Sequence, residues 1–91
     1  MFEYDSRKSK VNAKKHGISF EETYHLWNDP YLIRVRAKNV EGEERFAYIG
    51  LIEDNYWTAI ATIRNDKIRL ISCRRARKNE KVIYDEKKQK L

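Results

Sequence analysis

The chain changes its hydrophobic rhythm once, near residue 30: sparse apolar positions at helical spacing give way to alternation. Asp5 is a helix N-cap type, residues 6–16 are mostly helix formers, and Gly17 suits the left-handed position just past a helix end. This predicts a first helix over 6–16, with only Val11, Ala13 and Tyr4 apolar enough to face a core. Ser19-Phe20-Glu21-Glu22 has the form of a capping box. A second helix over 20–27 follows, with Phe20, Tyr24 and Trp27 on one face, and Asn28-Asp29-Pro30 stops it. From residue 31, Tyr31, Ile33 and Val35 alternate with Leu32, Arg34 and Arg36, a half-exposed strand that ends in a polar turn over 38–44. Strands over 45–52, 56–64 and 67–73 are joined by the loop 53–55 and the turn Asn65-Asp66. Such loops are too short for crossover helices, so the four strands form an antiparallel meander. A closing helix is expected over 76–90, with Val82 and either Ile83 or Asn79 inward and a polar end that frays. The order predicts an α+β fold: two N-terminal helices, a four-stranded antiparallel sheet and a C-terminal helix. The helices cover one face and leave the other partly open.

Ninety-one residues suffice for one domain, 1–91, with a single core. Charge narrows the partners. A net charge of +6 and a pI near 9.5 favour a polyanion: nucleic acid, an acidic protein or an anionic membrane surface. No apolar run approaches the roughly 18–20 residues that span a bilayer, so no membrane-spanning segment is expected, and no membrane is assigned as a partner. Residues 1–5 show no signal-peptide h-region, and the single Cys73 cannot form an internal disulfide; both fit a cytoplasmic protein. Within a strand, Cys73 reads as a small buried apolar residue.

The stretch 67–78 organises the candidate chemistry. An apolar strand runs without Gly or Pro into Arg74, Arg75, Arg77 and Lys78, delivering several cations to one sheet edge. Guanidinium is planar, forked and always charged, which suits phosphate oxygens. Arg64 closes the preceding strand at its other end, so about seven residues of strand, roughly 20 Å, separate it from Arg74. The two are therefore expected to reach successive phosphates and not one. Metal chemistry lacks a ligand set: His16 and His25 stand on different helices with no Cys pair or carboxylate grouping, and no metal or cofactor is expected. The three glycines are isolated, so there is no phosphate loop, and no Ser nucleophile motif occurs. RNA cleavage needs only positive charge and a proton carrier, because RNA brings its own 2′-hydroxyl nucleophile. Tyr4, Tyr48 and Trp57 are candidates for base stacking, though each also suits a core. Glu22 suits a cap better than a general base.

Phe2-x-Tyr4-Asp5, Asn12-x-x-Lys15-His16-Gly17-Ile18-x-Phe20, Asp29-Pro30, Glu43-x-Arg45-Phe46-x-x-Ile49-Gly50 and Ile68-Arg69-x-Ile71-Ser72-x-Arg74-Arg75-Ala76 occur in that order. Together they resemble the BrnT-type toxins of bacterial type II toxin–antitoxin systems across nearly the whole chain. Tyr4 replaces the usual Trp of that pattern, and Cys73 stands where Ala is usual. The resemblance implies a RelE-like fold, metal-independent endoribonuclease activity that inhibits translation, and neutralisation by a ribbon-helix-helix antitoxin of the BrnA type. Operator DNA would be bound only through that antitoxin. Carried over by motif, Lys15 or His16 serves in proton transfer, and Arg74 and Arg75 stabilise phosphate charge; Arg64, a looser match just before the last hairpin turn, is given the same role. Tyr4, Lys8 and Arg77 are the expected substrate contacts. A His before Gly at a helix end also serves as a simple terminator.

Two other readings share these residues. A non-catalytic basic module binding RNA, ribosomes or DNA shows salt-steep affinity and leaves RNA intact. A purely structural role makes the cationic face an antitoxin or oligomer interface.

Overall fold

The computed structural model describes residues 2–90. Its elements are β1 (Phe2–Glu3), α1 (Ser6–His16), α2 (Phe20–Thr23), a 3-10 turn (Tyr24–Asn28), β2 (Ile33–Val40), β3 (Glu43–Ile52), β4 (Asn55–Arg64), β5 (Lys67–Arg75) and α3 (Lys78–Gln89). The α+β class and the β2–β5 meander agree with the expectation, but the sheet has five strands in the order β1-β5-β4-β3-β2. The added strand, β1, lies parallel to β5, with Phe2 beside Ile68 and Glu3 beside Arg69. Two residues carry no readable alternation, and their partner lies at the other end of the chain.

The Asn65-Asp66 turn is the expected two-residue connection, and the other two hairpin connections are tighter than expected. Glu41-Gly42, Glu53-Asp54 and Asn65-Asp66 all have positive φ at both positions. This is the two-residue turn whose twist matches that of paired strands, so pairing continues to Val40–Glu43 and Ile52–Asn55. The expected turn over 38–44 therefore shrinks to its central pair.

The expected second helix is also divided. Asp5 and Ser19 cap as their residue types suggest, and Ser19 and Glu22 exchange both capping-box hydrogen bonds. After Thr23 the coil tightens to three residues per turn, which stacks Tyr24 above Trp27. Both rings pack on Phe2, with centroids 4.7 and 4.9 Å away.

α1 docks through polar groups. Val11 is 64% exposed, whereas Ser9 and Asn12 are buried. Ser9 Oγ accepts from the Phe20 amide at 2.9 Å. The Asn12 side chain donates to the Ile18 and Cys73 carbonyls, both at 2.8 Å, and accepts from the Cys73 amide at 3.1 Å. It acts as a strand partner for the edge of β5 beyond β1. The core of Ile18, Phe20, Leu26, Tyr48, Ala59, Ala61, Leu70 and Cys73 fills the space between these helices and the sheet.

The expectation of helices on one face does not hold. Trp57, Ala59 and Ala61 of β4 face α1 and α2, while Tyr56 and Thr58 face the other way, onto α3. α3 turns Tyr84 inward, 1% exposed, and leaves Val82 47% exposed and Asn79 at the surface. Its inner face is chosen by hydrogen bonds: Tyr84 donates to Asp29 Oδ2 at 2.7 Å, Glu80 accepts from Thr58 at 2.9 Å, and Asp85 accepts from Tyr56 at 2.8 Å.

Candidate functional site

The register of β4 with β5 decides which arginines share a site. Trp57 lies opposite Arg75 and Thr58 opposite Arg74, so the two consecutive arginines emerge on opposite faces of the sheet. Arg74 points to α3, where its guanidinium binds the Glu80 carboxylate through two nitrogens at 2.8 and 2.9 Å. Glu80 also accepts from the Thr58 hydroxyl at 2.9 Å and the Arg77 amide at 2.7 Å. Arg74, above all, together with these donors, outweighs burial and holds the Glu80 carboxyl down to about 2. Arg75 is exposed on the opposite face, its guanidinium carbon 4.9 Å from the centre of the Trp57 ring. A cation over an aromatic face is attracted and held without losing its charge.

α1 is pinned to the same strand. β1 and α1 both climb alongside β5, meeting it at Ile68 through Phe2 and at Cys73 through Asn12. His16 lies one helical turn past Asn12, about 6 Å along the axis, and Arg75 lies two strand residues past Cys73, about 7 Å. Gly17, at φ 79°, closes the helix, and its amide donates to the Ala13 carbonyl at 2.9 Å. Lys14 and Lys15 are exposed in this last turn and His16 is half-buried. Gly17 and Trp57 line one cavity of about 700 Å³, which ties the helix end to the ring beneath Arg75.

That cavity is not a phosphate site. Its charged lining is Glu22, Asp29, Glu53 and Asp54, with His25 beside them. Hydrogen bonds from the Ser19 backbone and side chain hold the Glu22 carboxyl below its ordinary range, so it stays anionic. A second cavity, about 470 Å³, lies around the end of β4 and is lined by Asp54, Asn55, Tyr56, Arg75, Ala76 and Lys81. It brings a cation from α3 beside Arg75. Sequence reasoning missed Lys81, which stood among many charges of a polar helix with no pattern to single it out.

The remaining expected residues lie elsewhere. Arg64 binds Glu43 at 3.0 Å at the far end of β4, six residues and about 20 Å from the Arg74 level. Tyr4 packs against Phe20 and Tyr24, and Tyr48 is 5% exposed in the core. Lys8 is exposed in the first turns of α1, and Arg77 is exposed at the start of α3. Burial pushes the Cys73 thiol up to about 11, which keeps it protonated and inert at neutral pH. Among the described residues no three His, Cys, Asp or Glu side chains gather as metal ligands do, and no helix is long and apolar enough to cross a membrane.

Fold and site together define a small cationic α+β protein with an aromatic-backed guanidinium at one end of its sheet. The family model described as the BrnT ribonuclease toxin of type II toxin–antitoxin systems matches residues 4–80, and the chain belongs to that family. A comparison with curated proteins gives no match. Membership implies ribonuclease chemistry and an antitoxin partner. The match contains Asn12, His16, Trp57, Arg75 and Glu80 and stops before Lys81, two residues after Asn79 on the first turn of α3.

Proposed function

We propose that this protein is a metal-independent endoribonuclease toxin that cuts RNA at the Arg75–Trp57 end of the sheet and thereby inhibits translation in the cytoplasm. The observation that carries the reading is the exposed Arg75, seated on Trp57 beside the end of α1. His16 takes the proton of the RNA 2′-hydroxyl as its oxygen bonds to phosphorus. The bond from phosphorus to the 5′ oxygen breaks, and that oxygen takes a proton from solvent, leaving a cyclic phosphate and a free 5′-hydroxyl. Arg75 offsets the charge that grows on the phosphoryl oxygens, and Lys15 adds positive potential. Arg74 braces β5 against α3, and Arg64 stays with Glu43; neither is assigned to the scissile phosphate. The fold is read as RelE-like, and the partner as a ribbon-helix-helix antitoxin of the BrnA type that carries the complex to operator DNA.

The test is incubation of the purified protein with RNA, with and without EDTA. Cleavage unaffected by chelator and lowered about 100-fold or more by Arg75→Ala, with an unchanged circular dichroism spectrum, is the expected result. RNA that stays intact while binding is strong and salt-sensitive would replace the enzyme with a basic binding module.

A further inference from the structure

We infer that the cavity between Arg75 and Lys81 is a second phosphodiester subsite, holding the backbone of the nucleotide next to the cut. The inference rests on the RNA-cleaving reading above and extends it to a part of the chain beyond the family match. Tyr56 and Trp57 are consecutive on β4 and present their rings to opposite faces, and each ring carries a cation. Arg75 lies 4.9 Å from the centre of Trp57, and the Lys81 ammonium lies 5.4 Å from the centre of Tyr56. The two cations thus flank the end of one strand and line one cavity of about 470 Å³.

The platform under Lys81 is fixed. The Tyr56 hydroxyl donates to Asp85 at 2.8 Å, and its ring meets Tyr84 edge-on at 5.7 Å. Among the described residues neither Arg75 nor Lys81 is part of an ion pair, whereas Arg36, Arg64, Arg69 and Arg74 each hold a carboxylate. Two cations held in place and in no ion pair suit a polyanion whose successive phosphates meet each in turn. Asn55 adds a neutral amide donor to the lining. Asp54 lines both this cavity and the acid-lined one next door, so a phosphate here lies toward Arg75 and Lys81 and away from that carboxylate. A continuous backbone already gripped at Arg75 is the polyanion that reaches Lys81 without a separate binding event.

The experiment measures binding of the full chain to a labelled single-stranded 2′-O-methyl RNA, whose blocked hydroxyl cannot attack, over a series of salt concentrations. Lys81→Met removes the charge and keeps a long stem on Tyr56 and a good helix former in α3. It is expected to weaken binding and to reduce the slope of log affinity against log salt by about 0.7, the value for one phosphate contact on a single strand. Lys81→Arg is expected to restore the slope. Lys67→Ala, which removes an exposed cation at the opposite end of the sheet, serves as the control and is expected to leave the slope as it is. If wild-type protein binds and cuts RNA while Lys81→Met keeps the wild-type slope, the subsite is overturned and the cleavage reading stands. If wild-type protein neither binds nor cuts RNA, both fall together.

Discussion

Gly50 sits where β3 passes closest to the segment after the 3-10 turn. A Cβ there would lie 2.8 Å from Leu32 Cδ1, 3.1 Å from Asp29 Oδ2 and 3.2 Å from Leu26 Cδ2. That carboxylate oxygen is the one that accepts from the Leu51 amide and the Tyr84 hydroxyl, so moving it disturbs β3 and α3 together. Gly50→Ala is expected to cost about 1–3 kcal/mol, read as a lower midpoint in urea unfolding. Asn12→Ala strands the Ile18 and Cys73 carbonyls and the Cys73 amide, all buried. A loss of about 3 kcal/mol is expected by the same measurement. Both residues stood out in the sequence only as pieces of a motif. The separation of 61 positions from Asn12 to Cys73 explains why its role was not legible there. Val11 misled for the complementary reason: it was the best apolar candidate on a helix that is held by Ser9 and Asn12.

Among the elements, α1, β3, β4 and β5 were legible because capping chemistry and period-2 alternation are local signals. β1 and the inner face of α3 were not, because distant partners select them. The Arg74–Glu80 pair shows how strongly. Glu80 has a folded-state pKa of about 2 against an ordinary 4.5. The stabilisation this provides is fully present above pH 4.5 and drains away as pH falls from there toward 2. Wild-type stability measured by denaturant between pH 6 and pH 2.5 is therefore expected to drop steeply over the lower part of that range. Glu80→Gln is expected to start lower at pH 6 and to flatten the drop, with α3 the first element to lose amide-exchange protection.

At the level of the molecule, net charge pointed to a polyanion, but not to where it binds. Arg74 and Arg75 are neighbours in the chain, yet the pleat of β5 sends one to a carboxylate and the other to an indole face. Only pairing with β4 reveals that division. It assigns different outcomes to charges that look alike: Arg64→Ala, about 20 Å from Arg75 by strand length, is expected to keep the turnover of RNA, while Arg75→Ala loses it. A side-by-side cleavage time course at saturating RNA checks the pair.

The parallel seam between β1 and β5 ties together Glu3 and Arg69, 66 positions apart. A sheet whose opening strand must wait for its closing strand cannot be completed piecemeal during synthesis, and such distant pairings form slowly. A growing chain accordingly carries the helix bearing His16 well before β5 is made, and α3, which packs on the far face of that sheet, emerges later still.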